Sequence, residues 1–341
     1  MIIVIGASSF IGVYTINALL EQGYKVLATG RKDGFRDYYK KLGVDYVNLN
    51  ICDKESFDSL PKKGVEGVIL LAALLPANSP VNLDVSENAA DYFKVNTIGT
   101  INVLEYCRMN QVNRVISTTS YADVYGHWSK EKMIDEFVPR SFSYEGDHAA
   151  YVISKNAATD IIEYYNQQHG MSNAVFRLPP VYGVGPHGSL YVNGTYVKSG
   201  LQLFIEKAIN GEEISVFGDK DVSRDVVYVK DVAGAFVQAI QSQNTYGLYN
   251  ITSGKGVTLE EQAKVIMDIF SPKNANKKIN FRPDIPNGSQ SYIFSVEKAR
   301  KDFNYLPKYK NFQDMMEDYF YEMQKGTVAS LFQTSDQGMN N

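Results

Sequence analysis

The chain of 341 residues has an ordinary globular composition, with 44% hydrophobic and 21% charged residues, and is long enough for one large α/β unit or two lobes. A net charge of −4 gives no drive toward nucleic acid. The N-terminus lacks a basic signal-peptide region, no apolar run reaches the roughly 18 residues of a membrane span, and the two cysteines form no metal motif, so we expect a reduced cytoplasmic protein with no membrane contact and no metal.

Short apolar runs alternate with helical patterns from the first residue onward. This alternation predicts a Rossmann-type α/β fold, in which helices cover both faces of a doubly wound parallel sheet. The predicted strands are residues 2–5, 24–29, 46–49, 67–71, 114–119 and 174–178, and the predicted helices are 11–22, 37–42, 95–110 and 151–168.

Past Arg177 the sequence becomes rich in Pro, Gly and Tyr, and residues 179–196 are predicted to be irregular and to serve binding. We therefore divide the chain into a Rossmann domain and a smaller α/β substrate lobe. The Rossmann domain is assigned residues 1–177, with 226–252 returning to it, the substrate lobe residues 178–225 and 253–325, and a flexible tail residues 326–341.

The first predicted turn has the sequence GASSFIG at residues 6–12, directly after a strand and at the start of a helix. Gly6 permits a tight turn, Gly12 permits close packing of helix and strand, and the free amides of the helix start suit a pyrophosphate. The alternative is an ordinary glycine-rich turn. The second strand ends at Arg31 and Lys32, two cations that could hold the 2′-phosphate of NADP or could be ordinary surface residues.

Tyr151 and Lys155 lie four residues apart, so a helix places both on one face. A nearby cation would lower the pKa of the phenol toward a value useful in acid/base catalysis, although the same spacing also occurs on solvated helix faces. Thr118 and Thr119 end a predicted parallel strand and Ser120 directly follows it, at the edge where open α/β sheets bind ligands.

Together these motifs resemble the extended short-chain dehydrogenase/reductases, a family that includes nucleotide-sugar epimerases, dehydratases and reductases. The resemblance covers residues 1–319. It is carried by GASSFIG, by LAA at 71–73, by Asn96 with Gly99-Thr100, by STTS and VYG at 117–126, by YVISK at 151–155, by RLPPVYG at 177–183, by VFG and SRD at 216–225, by 229–231 and by YNITSG at 249–254.

The resemblance implies that Tyr151 is the acid/base, that Lys155 holds the nicotinamide ribose and lowers the tyrosine pKa, and that Ser120, or else Thr119, is the catalytic hydroxyl. It implies NAD or NADP as cofactor, with the two cations favouring NADP, and a nucleotide sugar as substrate. Expected cofactor contacts are Gly6, Ser8, Ser9, Phe10, Ile11, Gly12, Arg31, Lys32, Asn50, Ile51, Leu71, Ala72, Ala73, Asn96, Thr118, Tyr151, Lys155, Pro179 and Val181. Expected substrate contacts are Ser120, Tyr151, Tyr191, Asn193 and Arg224, the last pairing with the diphosphate.

Several positions depart from the family pattern. Ser9 replaces a loop glycine, Asn50 replaces an acid, Pro180 replaces an asparagine, and one extra residue precedes Tyr125. Tyr121 and Ala122 stand where 4,6-dehydratases carry an Asp-Glu pair, which argues against elimination.

Once elimination is set aside, the reaction that the resemblance implies is hydride transfer at C4 of the sugar, as in an epimerase or an NADPH-dependent reductase. The alternatives are a non-catalytic NADPH sensor and an enzyme for a small carbonyl compound. Glu145, Asp147 and His148 could supply a second acid/base or form a salt-bridge cluster. The resemblance also implies a homodimer formed through the helices at 95–110 and 151–168.

Overall fold

The structure, a computed structural model, describes residues 1–31, 33–79, 83, 86–186, 188–192 and 194–336, with side chains up to 332. Within these residues the strands are β1 Ile2–Ile5, β2 Val26–Gly30, β3 Asp45–Asn48, β4 Gly67–Leu70, β5 Val115–Ser120, β6 Ala174–Leu178, β7 Val181–Tyr182, β8 Ser189–Val192, β9 Thr195–Lys198, β10 Ile214–Phe217, β11 Ser223–Asp225, β12 Val227–Tyr228, β13 Gly247–Asn250, β14 Gly256–Thr258 and β15 Ile279–Arg282.

The helices are α1 Phe10–Glu21, α2 Arg36–Lys41, α3 Ala89–Tyr92, α4 Gly99–Met109, α5 Ala149–His169, α6 Gly200–Ile209, α7 Val229–Gln241, α8 Leu259–Phe270, α9 Glu297–Phe303, α10 Phe312–Lys325 and α11 Thr327–Asp336. A π-helical turn, Phe93–Ile98, joins α3 to α4, and a 3₁₀ turn, Tyr121–His127, follows β5. None of the helices in the described part of the chain is long and apolar enough to cross a membrane.

A parallel sheet forms the centre of the molecule, with strand order β13-β6-β5-β4-β1-β2-β3. The strands β1 and β4 at its centre are apolar and buried along their whole length because both faces are covered. Ile2 and Val4 face a core that includes α1 and α7, whereas Ile3 and Ile5 face a core that includes α4 and α5. The predicted doubly wound parallel sheet is therefore confirmed.

The strand order reverses between β1 and β4, because the chain runs from β1 outward to β3 and then returns to the other side of β1. In open α/β sheets such a reversal leaves a crevice at the carboxyl ends of the strands, and ligands bind there. The loop after β1 and the loop after β4 border this crevice.

A second, smaller group of elements is formed by residues that follow β6 in sequence. β10 pairs with β15, β11 pairs with β14, and helices α6, α8 and α10 pack against one another beside them. Between these elements the chain returns to the central sheet, where α7 packs on α1 and β13 pairs with β6.

Two stretches differ from the sequence prediction. Residues 179–196 were expected to be irregular, but β8 and β9 form an antiparallel hairpin there. The chain from residue 326 was expected to be a flexible tail, but α11 follows Gly326, and the ring of Phe332 lies 5.6 Å from that of Phe35. Val328 and Phe332 are buried and four residues apart, so α11 has an apolar face for packing.

Candidate active site

The loop after β1 passes very close to the loop after β4. Gly6 has a φ of +92°, which disfavours any residue with a β-carbon, and such an atom would lie 2.5 Å from the Ala72 backbone nitrogen. The amides of Gly6 and Ala7 both donate to the Thr29 carbonyl. The glycine therefore fixes the loop at the point where the strand order reverses.

Ser9 is the N-cap of α1, and this explains how a serine fits the glycine-rich loop. Its φ of −79° is ordinary for a serine, and its hydroxyl oxygen accepts a 3.0 Å hydrogen bond from the Gly12 amide. A β-carbon on Gly12 would collide with the Gly6 carbonyl. Ser8 lies near Gly30, and the ring of Phe10 packs on Gly185.

The end of β2 carries the cations that the sequence analysis noted. Arg31 is exposed, and Lys32 lies outside the described residues. Burial raises the pKa of the Cys52 thiol, while Lys94 and Arg31 act in the opposite direction, so both cations are near this thiol. Lys94 was missed by sequence reasoning because it lies 63 positions after Arg31 on the π-helical turn.

Asn50 and Ile51 are close to this corner. The Asn50 side-chain oxygen accepts a 3.2 Å hydrogen bond from the Cys52 amide. Ile51 is buried against Gly99 of α4, and its carbonyl accepts from the Asn102 side chain. Asn50 is therefore the more accessible of these two predicted cofactor contacts.

Asn96, on the π-helical turn, connects the loop after β4 with α5. Its side-chain oxygen accepts from the Leu74 amide at 2.8 Å, and its nitrogen donates to the Leu74 carbonyl and to the Ser154 hydroxyl. Both amide hydrogens are thus used within the protein. Leu71, Ala72 and Ala73, which precede Leu74, are held beside Gly6 by these bonds and by two amides that donate to the Ile5 carbonyl.

Tyr151 and Lys155 lie near the start of α5, where Lys155 is buried and Tyr151 is partly buried. Burial raises the pKa of Tyr151 above its ordinary range, and the nearby phenols of Tyr92 and Tyr121 add smaller effects in the same direction. Burial lowers the pKa of the Lys155 ammonium to about 8. The expectation that Lys155 lowers the tyrosine pKa is not met by the protein groups alone, because loss of water around the phenol has the larger effect.

The end of β5 presents two candidate hydroxyls on opposite faces of the strand. The Ser120 oxygen accepts a 3.2 Å hydrogen bond from the Ala122 amide, which leaves its own hydrogen free to donate. Thr119 is 4% exposed, and its hydroxyl has no hydrogen-bond partner among the described residues. Thr118 shares the face of Ser120.

Arg224, on β11, lies among aromatic side chains across the crevice. It donates to the Ser289 hydroxyl, and its charge lowers the pKa values of Tyr121, Tyr182 and Tyr292 against the stronger effect of burial. The structure therefore brings Arg224 close to Tyr121. Tyr121 directly follows Ser120, the predicted catalytic hydroxyl at the end of β5.

The remaining predicted positions lie around this crevice. Pro179 is buried directly after β6, and Val181 pairs with Val227 between β7 and β12. The Tyr191 ring packs on Tyr196 in the hairpin, and Asn193 lies outside the described residues. The His148 ring nitrogen Nε2 is 3.1 Å from the Tyr191 carbonyl. Glu145 and Asp147 line a separate cavity of about 390 Å³.

The model of the NAD dependent epimerase/dehydratase family matches residues 2–252. The chain belongs to this family. The resemblance drawn from the motifs is thereby confirmed, and the family adds NAD dependence as its general property.

Curated relatives and solved structures are consistent with this membership. A putative UDP-glucose 4-epimerase of Methanocaldococcus jannaschii is 30% identical over 278 residues, covering 78% of this chain and 81% of the relative. UDP-glucuronic acid decarboxylase 1 of Arabidopsis thaliana is 24% identical, covering 90% and 66%. The UDP-glucose 4-epimerase of Thermotoga maritima with UDP-glucose has the same fold, with a TM-score of 0.75, 24% identity, and coverage of 95% and 98%.

Proposed function

We propose that the protein is an NAD-dependent 4-epimerase of a UDP-linked hexose, and that it interconverts UDP-glucose and UDP-galactose. The observation that supports this most is the placement of Tyr151 near Tyr121, which in turn lies near Arg224. The helix of Tyr151 and Lys155 is connected through Ser154 and Asn96 to the loop after β4, which approaches Gly6. The family model and the UDP-glucose 4-epimerase relative support the same reaction.

The residues at the strand reversal fit a dinucleotide. Gly6 and Gly12 leave no room for a β-carbon, and the first amides of α1 suit a pyrophosphate. Asn50, Ile51 and the loop at 71–73 border the adenosine side. A bound oxidised nicotinamide would supply a reversible hydride acceptor for C4 of the sugar, and its positive charge would lower the pKa of a nearby phenol.

The chain's own side chains would handle the proton. The Tyr151 phenolate takes the proton of the C4 hydroxyl and gives it back when the hydride returns to the other face of C4. Ser120, with its free hydroxyl hydrogen, orients the C4 oxygen, and Thr119 is the alternative on the other face of the strand. Lys155 donates to the cofactor ribose, and Arg224 holds a diphosphate oxygen.

Arg31 favours a second candidate, an NADPH-dependent nucleotide-sugar reductase. A cation at this position, together with Lys94 near the same thiol, suits a 2′-phosphate. The two candidates differ in the dinucleotide that stays with the protein. An epimerase reuses its NAD in every cycle, whereas a reductase must exchange NADPH.

The test is to purify the protein, release and identify any bound dinucleotide, and assay UDP-, dTDP-, GDP- and CDP-hexoses without added cofactor. We expect bound NAD and interconversion of UDP-glucose with UDP-galactose. A protein that carries no dinucleotide and oxidises NADPH with a 4-keto sugar would be a reductase. Unchanged activity in Tyr151→Phe would contradict the acid/base role of Tyr151 in both candidates. A bound dinucleotide without turnover of any of these substrates would favour a non-catalytic sensor.

A further inference from the structure

Three aromatic side chains pack together directly after Ser120. The rings of Tyr121 and Trp128 are stacked, with centroids 4.9 Å apart and an interplanar angle of 10°. Tyr292 lies 5.2 Å from Tyr121 and 4.6 Å from Trp128. The Tyr121 ring is therefore held in one place by contacts on two sides.

This trio connects the two halves of the candidate site. The turn that carries Tyr121 packs against α5, the helix of Tyr151. Tyr292 is paired with Arg224 across a parallel bridge, with its amide donating to the Ser223 carbonyl at 3.0 Å. Tyr121 raises the pKa of Tyr151, and Arg224 lowers that of Tyr121 against burial, so the phenol lies within electrostatic reach of both.

Trp128 adds a second observation. Its indole nitrogen is buried and has no hydrogen-bond partner among the described residues. A buried donor without an acceptor is costly, and native proteins rarely keep one without a reason. An acceptor oxygen from a bound molecule would satisfy it.

We infer that Tyr121 is a specificity-determining residue that positions the sugar ring of the bound nucleotide sugar. Its phenol hydrogen-bonds a pyranose hydroxyl, and the trio of Tyr121, Trp128 and Tyr292 forms the wall beside the ring. An aromatic side chain with a polar tip suits a sugar, which presents C–H groups on its faces and hydroxyls at its edges. The inference rests on the proposed function, because it assumes a nucleotide-linked sugar between Tyr151 and Arg224.

The test compares the affinities for UDP-glucose and UDP by calorimetric titration of wild type and Tyr121→Phe, a variant that keeps the ring. We expect about tenfold weaker binding of UDP-glucose by the variant and unchanged binding of UDP, since one hydrogen bond to the sugar is lost. The matched control is Tyr125→Phe, because Tyr125 also contacts Trp128, with centroids 4.7 Å apart, but is 40% exposed. It should bind both ligands as wild type does.

A second readout uses Trp128, the single tryptophan of the chain. The fluorescence emission of Trp128 should change more when UDP-glucose binds than when UDP binds. Equal affinity of Tyr121→Phe and wild type for UDP-glucose, or an equal loss for both ligands, would overturn the inference. If wild type binds neither ligand, both the inference and the proposed function are contradicted. If the sugar-specific loss occurs but wild type does not interconvert the two sugars, only the epimerase proposal fails.

Discussion

Tyr151 and Lys155 are affected by burial in opposite directions. Loss of water raises the pKa of the phenol and lowers that of the ammonium to about 8, because in each case the neutral form is favoured. The site thus holds a protonated phenol and a lysine whose pKa, at about 8, lies closer to neutral pH than that of a free lysine. A bound positive charge would favour the phenolate. We therefore expect cofactor binding to increase the fraction of Tyr151 that is ionised.

Lys155→Met should stabilise the protein. The unfolded lysine binds its proton more tightly than the folded one, so the charged form weakens folding below about pH 8, and this penalty fades as the pH rises toward 10.5. We expect a gain on the order of 3 kcal/mol at pH 7, from about 1.4 kcal/mol per pKa unit, that shrinks at pH 10. Urea unfolding at both pH values measures it, with exposed Lys132→Met as the control. A destabilised variant at pH 7 would contradict this account.

Arg224→Gln should weaken the use of UDP-glucose. Hydrogen bonds to charged groups contribute about 1.5 to 3 kcal/mol, so we expect kcat/KM to fall by roughly 10- to 100-fold, mainly through KM. Arg282→Gln is the control, because Arg282 is partly exposed and pairs with Asp284 on the surface. An unchanged kcat/KM for UDP-glucose in Arg224→Gln would contradict a contact between Arg224 and the diphosphate.

At the scale of elements, a buried ion pair ties the turn after β5 to β6. Arg177 is 1% exposed and donates to Asp123 at 2.9 Å and to Asn250 of β13 at 3.0 Å. Burial raises the pKa of Asp123, and Arg177 counteracts this effect. The pair therefore fixes the turn that carries Tyr121.

Arg177→Met should cost about 3 to 5 kcal/mol of stability, because it leaves the Asp123 carboxylate buried without its partner. The deficit should be smaller at pH 5 than at pH 8, since Asp123 without Arg177 keeps its proton to a higher pH. Denaturant unfolding at the two pH values measures both effects. Arg140→Met removes an exposed pair with Asp160 and should cost less than about 1 kcal/mol. Equal losses in the two variants would contradict the argument.

Six of the seven sheet strands could be predicted because each contains a short apolar run, and the predicted helices have a clear period, whereas β13 was not predicted. The hairpin of β8 and β9 was missed, although Asn193-Gly194 between two β-rich runs is a strong hairpin signal. The π-helical turn could not be read from local sequence. It depends on Asn96 reaching both Leu74 and Ser154, and these residues are far apart in the chain.

At the scale of the whole molecule, the glycine loop and the Tyr151–Lys155 pair were predictable because each is a local motif. The surroundings of Tyr121 were not, since Tyr292 and Arg224 reach it only through the folded chain. The division into residues 1–177 with 226–252, and 178–225 with 253–325, stays a proposal.

We propose that the protein is a homodimer formed through α4 and α5. Ile98 precedes α4 and is 48% exposed, and Tyr164 on α5 is 52% exposed. Ile98→Glu combined with Tyr164→Glu should convert a dimer to a monomer in sedimentation velocity, because charges would have to be buried at the interface. The control is Phe137→Glu, which changes an 82% exposed side chain on another segment and should leave the oligomeric state unchanged. A monomeric wild type would contradict the proposal.

The central claim, that a hydride leaves C4 and returns to the same sugar, is tested by incubating the protein with UDP-glucose deuterated at C4 and no added cofactor. The account predicts UDP-galactose that keeps its deuterium at C4 in mass and NMR spectra, and a loss of rate of about 100-fold or more in Tyr151→Phe. Absence of UDP-galactose, or product in which the deuterium has been replaced by hydrogen, would contradict it.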